Sequence, residues 1–111
     1  MTFPELYIAY IAWETGGKRR LVLVLSEDDD IISVYPITSQ YDKKDKVIQA
    51  QYFVINDWGQ AGLDKQSYVD TIDIVELSRS AIVTPSPIGK LSEADEARLM
   101  EFLTNECIRK V

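Results

Sequence analysis

At 111 residues, 46% hydrophobic and 27% charged, the chain is expected to be a single soluble globular domain spanning residues 1–111. No stretch approaches ~20 apolar residues and Met1-Thr2-Phe3-Pro4-Glu5 lacks the basic, then apolar order of a signal peptide, so the expected setting is the cytoplasm, without a membrane. A net charge of −6 argues against broad nonspecific nucleic-acid binding, while the absence of histidine and the lone Cys107 exclude an intramolecular disulfide, a soft-metal site and any histidine-based triad; neither metal nor cofactor is expected.

Leu6 to Trp13 is rich in aromatic and β-branched residues and apolar on both alternating faces, which predicts the central strand of a small barrel or curled sheet. Glu14-Thr15-Gly16-Gly17-Lys18 reads as a flexible hairpin turn, its glycines free to take positive φ. The turn delivers Lys18, Arg19 and Arg20 to the start of a second strand. Leu21 to Leu25 are five consecutive apolar residues, the pattern of a strand buried on both faces. After the acidic turn Glu27-Asp28-Asp29-Asp30, a third strand runs from Ile31 to Ile37 and ends on the hydroxyl pair Thr38 and Ser39. If these strands pair as a hairpin, Arg20 and Thr38 stand at the same end of it. One cation and two hydroxyls then converge at the open edge of a rigid sheet, the chemistry of an anion or phosphate site.

Tyr41 to Lys46 is a polar loop without apolar periodicity, and its Lys43-Lys44-Asp45-Lys46 cluster reads as a solvated mixed-charge segment. The alternation from Val47 to Ile55 predicts a fourth strand, Asn56 to Gly62 a loop carrying a half-exposed Trp58, and Leu63 to Ser67 one helical turn. Strand character returns from Tyr68 to Leu77, interrupted by Asp70 and Asp73. Ala81 to Thr84 is predicted as a short last strand, halted by Pro85 and Pro87. Ser92 is a good N-cap, with Asp95 as a short capping-box acid, for a helix from Glu93 to Arg109. Its stripe Leu99, Met100, Leu103, Cys107 and Val111 is expected to face the sheet, with Cys107 a buried inert thiol.

Taken together, the Gly-Gly-Lys-Arg-Arg turn, Leu21-Val-Leu-Val-Leu-Ser26, Tyr35-Pro-Ile-Thr-Ser39, Gly62-Leu63, Ser67-Tyr-Val-Asp-Thr71 and Ile88-Gly-Lys-Leu-Ser92 resemble, in order and spacing, the PemK/MazF-like toxins of bacterial type II toxin-antitoxin systems. The resemblance spans nearly the whole chain. It implies a mainly β (α+β) fold, a small SH3-like curled β-barrel with a C-terminal α-helix. It also implies a homodimer that cuts single-stranded mRNA at short sequences without metal, by 2′-OH attack on the adjacent phosphate, and a cognate antitoxin that blocks it. The family's arginine at the start of the second strand matches Arg20, and its hydroxyl after Pro-Ile matches Thr38, with Ser39 beside it. Glu14 would be a proton acceptor in the turn before Arg20, and Gly17, Lys18, Arg19 and Gln40 would line the RNA. This chain departs from the family pattern at Leu21, where a proline is usual, at Pro4-Glu5 in place of Gly-Asp, and at Ile72-Asp73 after Asp-Thr, which leaves room for weak or lost cleavage. Apolar residues on both faces of the first strands, with Trp13 and Trp58, also suggest a dimer. Two other readings stay open: a noncatalytic RNA- or peptide-binding module on the same barrel, and a structural role in which Arg20 pairs with the acidic turn and Thr38 caps a strand end.

Overall fold

The chain begins with a three-strand antiparallel meander: β1 (Glu5–Trp13), β2 (Gly16–Asp28) and β3 (Ile31–Thr38). The structure, a computed structural model, describes the backbone of residues 1–109 and the side chains within it except Trp13 and residues 106–109. Buried residues alternate between two clusters on opposite sides of the meander. Leu23, Tyr35 and Ile37 join Leu6 in one cluster, while Val22, Val24, Ile32 and Val34 join Tyr7 and Ala9 in the other. β2 is therefore buried on both faces at Val22, Leu23 and Val24, each fully inaccessible, as the apolar run predicted. A register shift between Val24 and Ser26 adds one residue to β2, and such a bulge strengthens the local twist. The sheet curls as a half-barrel.

The remaining strands complete a seven-stranded antiparallel sheet in the order β4-β5-β3-β2-β1-β7, with β6 also on β3. β4 is Tyr52–Ile55, β5 Ser67–Asp70, β6 Val75–Ser78 and β7 Gly89–Lys90. The single strand predicted over Tyr68 to Leu77 is two, because β6 pairs with the first half of β3 and β5 with its end, leaving residues 71–74 to cross the register gap between them. Pro36 lies on β3 between those two ladders and offers no N–H to bridge them.

Four other expectations are corrected. The segment predicted as one strand over Val47 to Ile55 opens with the helical turn α1 (Lys46–Gln49), because the Asp45 side chain accepts from the Ile48 N–H at 3.0 Å and caps it. Leu63 to Ser67 forms no helical turn. Ala81 to Thr84 is not a strand: a 3₁₀ turn (Arg79–Ala81) precedes a lone bridge from Ile82 to Ala9, and the sheet continues to β7 beyond the prolines. Finally, the glycine pair is not a positive-φ turn. Glu14 and Thr15 make the turn, Gly16 and Gly17 already belong to β2, and Gly62 at φ 90° is the one described glycine in the left-handed region. Gly17 instead makes room for the Tyr10 ring, since a Cβ there would fall 2.6 Å from the Tyr10 hydroxyl.

α2 (Glu93–Arg109) packs on β4 through a stripe centred on Asp95, Leu99, Phe102 and Leu103. Phe102 meets Phe53 edge to face with centroids 5.6 Å apart, and Arg98 lies 4.8 Å over the same ring. Met100, predicted on the stripe, is 53% exposed because it is turned about 100° from Leu99. The predicted burial of Cys107 and Val111 lies outside the described side chains. Ser92 caps the helix by accepting from the Asp95 N–H, but Asp95 does not close the box onto Ser92; it reaches across to the Asn56 and Asp57 N–H groups. No helix among the described residues is long and apolar enough to cross a membrane.

Candidate anion-binding cleft

The β2–β3 ladder pairs Val22 with Pro36, so continuing the register two residues along each strand places Arg20 opposite Thr38. Thr38 in turn pairs with Tyr68 of β5, and Asp70 of β5 pairs with Tyr52 of β4. Directly paired residues share a face, and alternate residues along a strand return to it. Arg20, Thr38, Tyr68, Asp70 and Tyr52 therefore stand on one face across four strands, opposite the face that carries Leu23, Ile37, Phe53 and α2. Neighbouring strands lie ~4.8 Å apart and Asp70 stands two residues along β5 from the Thr38 partner Tyr68, so ~12 Å separates Arg20 from Asp70 at the backbone. Arg20 and Thr38, on neighbouring strands, can reach a common small anion.

An open cleft of about 460 Å³ occupies this face. Lys18, Arg19 and Arg20 line one side, Thr38, Ser39 and Gln40 the other, and Tyr52 and Asp70 complete it together with Lys44. Four cations face one carboxylate in a chain whose net charge is −6. The cleft is a local positive site in an acidic protein. Thr38 is half-buried and its hydroxyl accepts from the Gln40 N–H at 3.1 Å, which holds the turn out of the strand and leaves the hydroxyl proton available to a ligand. The Tyr52 phenol is pushed above its ordinary range, chiefly by burial and next by the charge of Asp70, while Arg20 pulls it back. Opposite charges thus bracket a protonated phenol.

The acidic turn draws a different cation. Arg79 pairs with Glu27 and donates to the Asp29 carbonyl at 2.8 Å, its own N–H bonding the Asp30 carbonyl at 2.7 Å. Arg20, at the other end of β2, enters no salt bridge among the described residues. The structural reading of Arg20 loses its partner.

The predicted site residues are mostly brought together: Arg20, Thr38, Ser39, Lys18, Arg19 and Gln40 all line the cleft. Glu14 and Gly17 do not. Gly16 is already four residues beyond Arg20 along β2, ~13 Å at strand rise, and Glu14 lies past it in the exposed turn. Gly17 is occupied with Tyr10. Sequence reasoning missed Lys44, Tyr52 and Asp70. A carboxylate breaking the apolar run Ser67-Tyr-Val-Asp70 was the available signal for the last of these. No known protein-family model matches this chain, and no curated protein matches it.

Proposed function

We propose that the chain is a metal-independent endoribonuclease that cleaves single-stranded mRNA at short sequences, acting as the toxin of a PemK/MazF-like toxin-antitoxin pair in the cytoplasm. The observation that carries the reading is the cleft itself: Arg20, with no ion-pair partner among the described residues, shares it with Thr38 and three further cations. In this reading the RNA 2′-oxygen attacks the neighbouring phosphorus and the bond to the 5′-oxygen breaks, giving a cyclic phosphate and a 5′-hydroxyl. The Arg20 fork binds two phosphoryl oxygens and the Thr38 hydroxyl donates to the charge that develops there. Asp70, the one carboxylate of the cleft, takes the 2′-OH proton, and water in the open cleft protonates the departing oxygen.

The homodimer and the cognate antitoxin belong to the same proposal, and they rest on the resemblance. The two clusters of a single chain cover much of both faces of β1 and β2 and Trp58 is half-buried against one of them, so part of the apolar surplus read from the sequence is absorbed within one copy, while Tyr10 of β1 stays 49% exposed. The remoteness of Glu14 favours a second reading, a noncatalytic module that holds RNA or a peptide in the same cationic cleft. Incubating the purified protein with unstructured RNA in EDTA separates the two. Fragments with 5′-hydroxyl ends are expected, and intact RNA, or cleavage that needs added magnesium, overturns the nuclease mechanism.

A further inference from the structure

The loop that follows the cleft carries aromatic rings that phosphate chemistry does not use. Tyr41 comes directly after Gln40, and its ring stacks on Tyr68 with centroids 4.5 Å apart and planes 13° from parallel. Tyr68 is the ladder partner of Thr38. The stack therefore starts one strand, ~5 Å, from the hydroxyl of the cleft and two strands from Arg20. Tyr52, which lines the cleft, stands against Tyr41 at 6.5 Å with its plane tilted 49°. The loop is tied at both ends of this cluster. The Gln49 side chain donates to the Tyr41 carbonyl at 2.9 Å, and Asp45 caps α1. Tyr41 and Tyr68 are each half-buried, so ring surface remains open, while Lys44 of the same loop faces the cleft.

Cations that track a phosphate backbone beside aromatic rings that receive bases are the combination that holds single-stranded nucleic acid. Each part is present within one loop and two strands. We propose that Tyr41, backed by Tyr68, is a base-stacking subsite that holds an unpaired nucleobase next to the phosphate bound between Arg20 and Thr38. This deepens the RNA reading and rests on it. Every base has a π face, so the subsite selects for an unstacked base rather than for its identity, and a base held in a duplex cannot enter.

The test is binding of a mixed-sequence single-stranded RNA hexamer with 2′-O-methyl sugars, which lacks the nucleophile, compared with the same hexamer made abasic. Fluorescence anisotropy is read for the full chain and for Tyr41→Ala, Tyr41→Leu and Tyr41→Phe. Losing one stacked base weakens binding by roughly tenfold or more, so Tyr41→Ala and Tyr41→Leu should show that loss while Tyr41→Phe binds like the parent. On the abasic hexamer all four proteins should bind alike. Tyr41→Leu keeps an apolar contact with Tyr68, so it carries the test if Tyr41→Ala melts early. Parent-like binding of the base-bearing hexamer by Tyr41→Leu, or an equal loss on the abasic one, overturns the subsite. Cleavage of unmodified RNA is scored separately: the expected binding pattern in a protein that cuts no RNA supports the subsite while removing the nuclease reading.

Discussion

Asp95 offers the sharpest check on how α2 is fixed to the sheet. It is 1% exposed, and its carboxylate accepts from three donors: the Asn56 N–H at 3.3 Å, the Asp57 N–H at 2.8 Å and the Arg98 guanidinium at 2.7 Å. Asp95→Ala removes every one of these acceptors. A buried donor left without a partner costs about 1–3 kcal/mol, and the two backbone N–H groups belong to residues with some access to water, which sets each near the lower end. Arg98 is 38% exposed and keeps its bond to the Val54 carbonyl, so its loss adds little. With the methylene packing lost as well, the total is about 2–4 kcal/mol, or a fall in Tm of about 10–15 °C. Asp95→Asn retains one acceptor but turns an N–H toward a donor, and should lose about half as much. Thermal and urea unfolding of the three proteins read this directly. A shift for Asp95→Ala below about 0.5 kcal/mol, the size of an ordinary surface substitution, would refute the reasoning.

Other outcomes follow from the same contacts. Gly89→Ala should destabilise by about 1–3 kcal/mol, because its Cβ would meet the Ala61 carbonyl, which is backbone and cannot swing away; an unchanged Tm would show that β7 and the turn at Ala61 separate freely. Tyr7 and Tyr52 are both pushed above the ordinary phenol range by burial, with the Glu5 hydrogen bond adding at Tyr7 and the Asp70 charge at Tyr52. The folded state then keeps protons that the unfolded state gives up above pH ~10, so stability is full below that pH and falls as it rises further. Tm measured from pH ~8 to ~11 should drop at the alkaline end and drop less in Tyr52→Phe; a flat profile in the parent protein contradicts the burial assigned to these rings. Thr38→Val, which keeps the shape and removes the hydroxyl, should lower RNA cleavage by less than substitution of Arg20, with Tm held.

The meander and its cleft were legible because they rest on local pattern. An unbroken run such as Leu21 to Leu25 has few stable fates other than burial on two faces, and hairpin pairing alone then sets Arg20 and Thr38 at one end. Non-local facts were not legible. Asp70 reaches the cleft only because β5 docks beside the end of β3, and β7 exists only because β1 offers a free edge at Glu5 and Leu6. Around Val47 the period-2 pattern competed with a capping side chain three residues ahead of the Ile48 N–H, and the cap prevailed over the first turn. Glu14 was misplaced because a turn of Glu14 and Thr15 is shorter than the glycine-rich turn the sequence suggested, which lengthens β2 and moves the acid away from Arg20.

The central claim is that Arg20 acts on phosphate and is not part of the framework. It is tested most directly by measuring RNA cleavage rate and Tm together on Arg20→Lys and Arg20→Ala. Lysine keeps the charge and loses the two-pronged donor geometry, while alanine loses both. Each variant should cleave at least ~10²-fold more slowly, the scale of losing one donor to a developing oxyanion, and each should melt within a few degrees of the parent because no described partner of Arg20 is left behind. An Arg20→Ala protein that cleaves RNA at the parent rate while melting well below it would contradict the claim.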